Sequence, residues 1–293
     1  MSTSNPSYPV KSPLSIEEQI ELLKSRNLVI EDEEFAKKVL THISYYRLSG
    51  YSLNLRKDNI FYPGITFNTI YKIYEFDKKL RYLILDLIEI VEISFRTHIA
   101  NHLALRYGPL CYTDAQYFEN KEYHNEFLLE LYKEIEKNKK ELFIKHHLEK
   151  YNANFPIWVA VEVMSFGTLS RLFSNLKNED RNYISKTYYK FPAVYITTWL
   201  RSLVVLRNIC AHYGRIYNRQ FPVVPKLGQK DKKLGISKDR LFVFIFILKY
   251  LIKDNQKWTN FTINLQALIE EFADIVDISL IGFPNNWITL LEK

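Results

Sequence analysis

The side chains best suited to chemistry lie close together between positions 206 and 215. Arg207, Asn208 and His212 combine a permanent cation, a polar amide and a titratable imidazole. Arginine presents a planar fork that binds phosphate oxygens, and histidine exchanges protons near neutral pH. The set predicts metal-free cleavage of RNA, in which His212 moves the proton of the attacking 2′-OH or of the leaving 5′-oxygen. Arg207 would bind the scissile phosphate, and Asn208 would hold the imidazole or a phosphate oxygen.

Helix geometry limits how this set can act. Residues 207 and 212 are five positions apart, which separates them by about 140° around a regular helix. Gly214 is predicted to supply the left-handed residue that stops the helix, so that His212 lies on a distorted last turn. The other solution is a homodimer, in which two copies of the motif meet across a two-fold axis and form one composite site. Trp199, Leu203 and Leu206 could form its apolar seam or equally face the chain's own core.

The motif and several longer segments resemble known defence proteins. Residues 207–212 resemble the Arg-x(4–6)-His signature of HEPN ribonucleases, including the polar residue after the arginine. Further segments, in family order over nearly the whole chain, resemble the Abi-like family of abortive-infection proteins; they are residues 43–51, 74–81, 92–97, 156–170 and 282–287. The resemblance implies a four-helix HEPN bundle and a role in phage defence, where RNA cleavage halts the infected cell. It leaves room for a restraining partner, either an antitoxin protein or a small regulatory RNA.

Hydrophobic periodicity independently predicts an all-α fold of long helices joined by short loops. The resemblance adds that these helices form a HEPN-like bundle with additional N-terminal helices. Ser15 and Glu18 resemble a capping box, and residues 66–107 contain neither Gly nor Pro. The predicted helices are 15–24, 32–46, 66–107, 124–151, 156–176, 194–212, 238–254 and 265–276. The few β-branched runs lack clean alternation, so a sheet is improbable.

Composition predicts a cytoplasmic globular protein. Residues 1–13 are polar with three prolines and are expected to be a flexible arm. A helical region, residues 14–57, is expected to pack with the Abi domain, residues 60–293, as one unit. The most apolar run, residues 241–252, contains Lys249 and is too short for a membrane span. The net charge of +7 suits an RNA substrate without requiring one.

Several other residues are candidates for binding RNA. Tyr213 and Tyr217 flank the motif, where they could stack on unpaired bases, and Arg215 follows directly. The densest basic patch comes shortly after, and although such a run is most often a solvated loop, it could contact backbone phosphates. Its strongest candidates are Lys230, Lys232 and Lys233.

Three residues are candidates for a supporting role near the motif. Arg96 and His102 form a second Arg–His spacing, but inside an uninterrupted helix they point about 240° apart. Glu92 and Arg96 have the i,i+4 spacing of an ion pair. Glu162 could orient Arg207 through a bidentate pair.

The remaining histidines and cysteines predict neither a metal site nor a cofactor. Cys111 and Cys210 are too few for a disulfide framework, and no histidine pairs with them at a zinc-like spacing. Cys210 could be a thiol nucleophile, but its apolar neighbours favour a packing role. His146 and His147 are adjacent and lack accompanying ligands.

Two other classes of function remain open at this stage. A non-catalytic RNA-binding or scaffold protein could use Arg207 and His212 only to contact phosphate or to stabilise a dimer. A stable all-α core without any nucleic-acid role is also compatible with the moderate charge.

Overall fold

The computed structural model describes residue 10 and residues 12–292, and the predicted all-α class is confirmed. Most of the predicted N-terminal arm lies outside the described residues. The helices are α1 (Ile16–Ser25), α2 (Glu33–His42), α3 (Tyr45–Ser49), α4 (Phe67–Tyr107), α5 (Lys121–Lys137), α6 (Leu142–Lys150), α7 (Ile157–Val163), α8 (Phe166–Asn175), α9 (Asn178–Ile184), α10 (Ala193–Ala211), α11 (Leu241–Leu251), α12 (Asn255–Glu271) and α13 (Trp287–Leu291). Short 3-10 turns and one π-helical turn (Ser185–Tyr189) lie between them. Within the described residues, no helix combines the length and apolarity that a membrane span requires.

One small hairpin departs from the all-helical expectation. Strand β1 (Arg56–Lys57) pairs antiparallel with β2 (Ile60–Phe61), and Arg56 lies opposite Phe61. The two turn residues, Asp58 and Asn59, have φ values of 49° and 67°. Both side-chain types tolerate this left-handed conformation, which a two-residue hairpin turn requires.

The chain divides into two compact units. The first contains the described residues of Met1–Asp77 together with Phe272–Val276. The predicted capping box is present in it: Ser15 Oγ accepts from the Glu18 amide at 3.1 Å, and Glu18 Oε2 accepts from the Ser15 amide at 2.7 Å. Deeper in this unit, the hydroxyl of Tyr51 donates to the buried Asp77 carboxylate at 2.8 Å.

The second unit contains Lys78–Glu271 and the described residues of Asp277–Lys293. Its central helix is α11, in which residues 241–248 and Leu251 are all buried. A helix that is apolar on every side is stable only when neighbours surround it. Helix α10 packs against both α8 and α11, and its Trp199 is fully buried and donates its indole N–H to the Lys226 carbonyl at 2.7 Å.

Several predicted helix boundaries were wrong, because polar side chains interrupt patterns that contain no Gly or Pro at the break. The predicted helix 32–46 ends at His42, and Ser44 then caps α3 by accepting from the Arg47 amide. The predicted helix 124–151 is two helices, since Asn138 caps the C-terminus of α5 through its amide and side chain.

The predicted helix 156–176 is also two helices. Met164 is extended, with ψ 138°, and the next residue, Ser165, caps α8 by accepting from the Thr168 amide. This break matters for the site, because it leaves the Met164 carbonyl available to a side chain from α4. Helix α12 begins ten residues before its predicted start, and α9 and α13 were not predicted at all.

Candidate functional site

The C-terminus of α10 positions the predicted catalytic residues through a double hydrogen-bonded cap. The Gly214 amide donates to the Ile209 carbonyl at 2.7 Å, and the Tyr213 amide donates to the Cys210 carbonyl at 3.1 Å. These two bonds form a Schellman motif with His212 as the capping residue. His212 therefore ends the helix, and no further helical turn covers its side chain.

The prediction that Gly214 supplies the left-handed residue was wrong. That residue is Tyr213, with φ 59°, an uncommon conformation for an aromatic side chain. Gly214 is required for a different reason, since a Cβ there would lie 2.9 Å from Ile209 Cγ2 and 3.0 Å from the Ile209 carbonyl oxygen. The chain passes too close to α10 for a larger residue.

Arg207 and His212 line the same open cleft, whose volume is about 500 Å³. Helices α4, α7 and α10 form its walls, through Leu85, Ile88, Glu89, Glu92, Ile93, Arg96, Glu162, Arg207, Ala211 and His212. The His212 side chain is exposed and has no hydrogen-bond partner among the described residues. Arg207 and His212 of a single chain therefore line one cleft, although a regular helix would separate them by about 140°.

A largely buried carboxylate from α4 lies beside the Arg207 guanidinium. Glu92 Oε2 lies 3.9 Å from Arg207 Nε, and the Glu92 side chain is only 13% exposed. On its other side, Arg207 Nη1 donates a long hydrogen bond of 3.4 Å to Asn208 Oδ1. The Arg207 side chain itself remains 38% exposed, so a phosphate can reach it.

Arg96 fixes Glu92 in turn and joins α4 to α7. Arg96 Nη2 donates to Glu92 Oε1 at 2.5 Å and to the Met164 carbonyl at 2.6 Å, while Nη1 donates to the Val161 carbonyl. These carbonyls lie where α7 ends, at the break described above. The Arg96 side chain is 12% exposed, so a buried chain of polar contacts runs from the end of α7 to Arg207.

The predicted supporting residues therefore have different positions from those expected. Glu162 lines the cleft, but no ion pair joins it to Arg207 in the described structure, and the carboxylate beside Arg207 is Glu92. Arg96 contacts Arg207 only through Glu92. His102 is not at the cleft: its Nε2 lies 2.7 Å from the buried Asp180, and its ring stacks on Tyr183.

Of the predicted RNA-binding residues near the motif, only Tyr213 offers an open side chain, 64% exposed. Tyr217 is 1% exposed, and burial raises its pKa to about 12, so the expectation that its ring stacks on bases was wrong. The Tyr217 side chain lies in the core, where its hydroxyl accepts a hydrogen bond from the Asp277 amide at 3.2 Å. Arg215 is half-buried and donates to the carbonyls of Tyr217 and Asn218.

The basic patch is exposed but separate from the cleft. A 3-10 turn (Asp231–Leu234) carries Lys232 and Lys233, and Lys230 precedes it. None of the three lines the cleft that contains Arg207.

Cys210 is 2% exposed and lies in the core, so it is not available as an open nucleophile. Burial also raises the pKa of the Cys111 thiol to about 11. His147 Nδ1 lies 2.8 Å from the Phe143 carbonyl in its own helix. Across the described residues, no three His, Cys, Asp or Glu side chains form a group that could hold a metal ion.

Comparison with known proteins identifies the family. A family model described as Abi-like protein matches residues 38–218, which is more than half of the chain and includes α4, α7 and the whole of α10. No curated protein matches the chain significantly, and neither does any solved structure. The matched region contains every residue that lines the cleft. The chain belongs to the Abi-like protein family.

Proposed function

We propose that the chain is a metal-independent endoribonuclease of the HEPN type, acting in abortive-infection phage defence. One observation carries the proposal: Arg207 and His212 line the same cleft, and the largely buried Glu92 carboxylate lies 3.9 Å from the Arg207 guanidinium. A fixed cation can stabilise the charge that develops on the phosphate, and a solvent-accessible imidazole can carry out one of the proton transfers of RNA transesterification. Membership of the Abi-like family supports the biological role.

The reaction requires two proton transfers. The 2′-oxygen of RNA attacks the adjacent phosphorus, the bond from phosphorus to the 5′-oxygen breaks, and the products carry a 2′,3′-cyclic phosphate and a 5′-OH. His212 takes the proton from the 2′-OH or gives one to the leaving 5′-oxygen. Arg207 donates to the phosphate oxygens, where negative charge accumulates in the transition state. Asn208 holds Arg207 from the exposed side.

A homodimer remains part of the proposal, but for a different reason. Because one chain already brings Arg207 and His212 to one cleft, the helix angle no longer requires a second copy. A second copy is now proposed because the reaction needs both a base and an acid. These act on opposite sides of the phosphorus, so one imidazole cannot serve as both in the same step. Val194, Arg201 and Asn208, spaced by seven residues, form an exposed stripe on α10 that could place two imidazoles together. Light scattering tests this: a monomer that still cleaves RNA at nanomolar concentration would contradict it.

The nature of the products tests the proposed reaction. We expect labelled single-stranded RNA to yield 5′ ends that resist a 5′-phosphate-dependent exonuclease and 3′ ends that gain a free 3′-OH only after the cyclic phosphate is opened and the resulting phosphate is removed. DNA of the same sequence should remain intact, because it lacks the 2′-OH. Equal cleavage of DNA, or products with 5′-phosphates, would contradict the mechanism. Binding of RNA without cleavage would instead favour the alternative of a non-catalytic RNA-binding or scaffold protein. Such a protein would not need an antitoxin or regulatory RNA to restrain it.

A further inference from the structure

Beside the Arg207–His212 pair, the cleft contains a carboxylate that nothing in the described structure engages. Glu162 is exposed, lines the cleft and makes no hydrogen bond or ion pair with any described residue. A free carboxylate repels the phosphates of RNA. Glu89, on α4, is a second exposed carboxylate of the cleft without a hydrogen bond or ion pair to the described residues, but only Glu162 has an exposed aromatic side chain one turn away on its own helix. The donors of RNA that a carboxylate can bind are on the base edges and the ribose.

Trp158 lies on the same face of α7 as Glu162, one helical turn away. The two residues are four positions apart, which places them about 6 Å from each other along the helix axis. Trp158 is 51% exposed, whereas Trp199, Trp258 and Trp287 are 0%, 2% and 8% exposed. A large indole left open to solvent beside a free carboxylate offers a stacking surface and a hydrogen-bond acceptor together.

The helix that carries this pair is held in place. The Ile157 amide donates to the Pro109 carbonyl at 2.8 Å, and Arg96 binds the carbonyls of Val161 and Met164. On its inner side, α7 buries its own residues Ile157, Ala160 and Val161. Trp158 and Glu162 therefore keep a fixed position relative to Arg96 and, through Glu92, to Arg207.

The cleft presents both charged and apolar side chains. Arg207 and His212 suit a phosphate, while Ile93, which is 53% exposed, gives an apolar surface. A nucleotide likewise combines a charged phosphate with a largely apolar base. Unpaired bases are commonly bound by stacking on an aromatic side chain while a polar group contacts the Watson–Crick edge.

We propose that Trp158 and Glu162 form a base-binding subsite that selects an unpaired guanine next to the cleaved phosphate. Guanine presents two adjacent donors, N1–H and the N2 amino group, which match the two oxygens of one carboxylate. Adenine and cytosine present one amino donor next to an acceptor nitrogen, and uracil presents one N–H between two carbonyls. The carboxylate therefore attracts guanine most strongly. This inference rests on the proposed ribonuclease function and adds its substrate preference.

Uridine-rich oligonucleotides that contain one G, A or C test the selectivity. We expect cleavage next to guanine to exceed cleavage at uridine by about tenfold or more, the scale of one bidentate contact. Glu162→Gln should reduce that ratio to within about threefold, because the amide nitrogen meets a guanine donor. Glu122→Gln, an exposed change on α5, is the matched control and should keep the ratio. Equal cleavage next to all four bases by the unaltered protein would overturn the proposal.

Tryptophan fluorescence tests the stacking without requiring cleavage. Because Trp158 is the exposed one of the four tryptophans, an uncleavable 2′-O-methyl oligonucleotide containing guanine should quench the red-shifted part of the emission. Trp158→Ala should lower kcat/KM by about tenfold or more, the scale of one base–aromatic stack, whereas Trp158→Phe should keep most of it. Tyr132→Ala, which removes another half-exposed aromatic side chain, should have little effect.

The outcomes separate this inference from the proposed function. Guanine-dependent quenching without cleavage would uphold the subsite and contradict the ribonuclease. Cleavage without quenching, at equal rates for Trp158→Ala and the unaltered protein, would uphold the ribonuclease and overturn the subsite. An emission change that follows protein concentration in the absence of RNA would also overturn it, because Trp158 would then be covered by a second copy of the chain.

Discussion

Replacing Glu92 by Gln tests whether the buried chain of contacts supports the cleft. The carboxylate accepts a 2.5 Å hydrogen bond from Arg96, and both side chains are little exposed, at 13% and 12%, so solvent screens their interaction weakly. Hydrogen bonds to charged groups contribute about 1.5–3 kcal/mol, and the amide retains part of this. We therefore expect the free energy of unfolding to fall by about 2 kcal/mol, which corresponds to a Tm lower by roughly 4–8 °C.

The same change should weaken catalysis more than binding. Glu92 Oε2 lies 3.9 Å from Arg207 Nε, and two unit charges at about 4 Å attract each other by about 4 kcal/mol at an effective dielectric constant of about 20. Without this attraction Arg207 can leave the position in which it binds the phosphate. We expect kcat to fall by about tenfold to a hundredfold, with little change in KM because a negative charge has also been removed from the cleft.

The chain offers a matched control for this experiment. Glu89 lies on the same helix and lines the same cleft, but it is exposed and makes no hydrogen bond or ion pair with any described residue. Glu89→Gln should change neither Tm nor kcat appreciably. Urea unfolding and initial rates on a fluorogenic RNA measure both effects. If Glu92→Gln behaves like Glu89→Gln in both assays, the assigned positioning role of Glu92 is wrong.

Three further predictions concern stability. Tyr213→Asn should raise the free energy of unfolding by about 1 kcal/mol, because asparagine tolerates the left-handed conformation better; a lower urea midpoint would contradict the strain. Asp180→Asn should cost about 3 kcal/mol or more, because the fully buried carboxylate contacts His102, Arg106 and Tyr107; an unchanged midpoint would contradict this. Burial lowers the pKa of His98 from 6.5 to about 4, so protons bind first to the unfolded chain and stability should fall as pH decreases from about 6.5 to 4. His98→Phe should reduce the dependence of the free energy of unfolding on pH between about 4 and 6.5, measured from urea unfolding curves at several pH values. An unchanged dependence would show that other titrating groups cause it.

The sequence predicted those parts of the fold that depend on local signals. Ser15 and Glu18 are capping residues at the correct spacing, and α4 begins one residue after its predicted start and ends at Tyr107, where Gly108 takes a left-handed conformation. The break at Ser165 carried a signal too, since serine is a favoured capping residue, but the apolar periodicity on both sides concealed it.

The site was only partly predictable, because its decisive contacts are distant in the sequence. Arg207 was recognised from its own motif, but its partner Glu92 lies on another helix, and no spacing rule relates the two. Tyr217 and Tyr213 look equivalent in the sequence. Only the fold decides that one ring is buried against residue 277 while the other projects into solvent.

Cleavage of single-stranded RNA in the presence of EDTA, by the unaltered protein and by two variants, tests the central claim most directly. We expect the unaltered protein to cleave, and His212→Ala and Arg207→Ala each to cleave at least about a hundredfold more slowly. His212→Ala should keep its Tm, because the His212 side chain is exposed and makes no hydrogen bond with a described residue, whereas Arg207→Ala should lower the Tm slightly, because Glu92 loses a neighbouring cation, and should still fold. Failure of the folded protein to cleave RNA in EDTA, or unchanged cleavage by folded His212→Ala, would contradict the account.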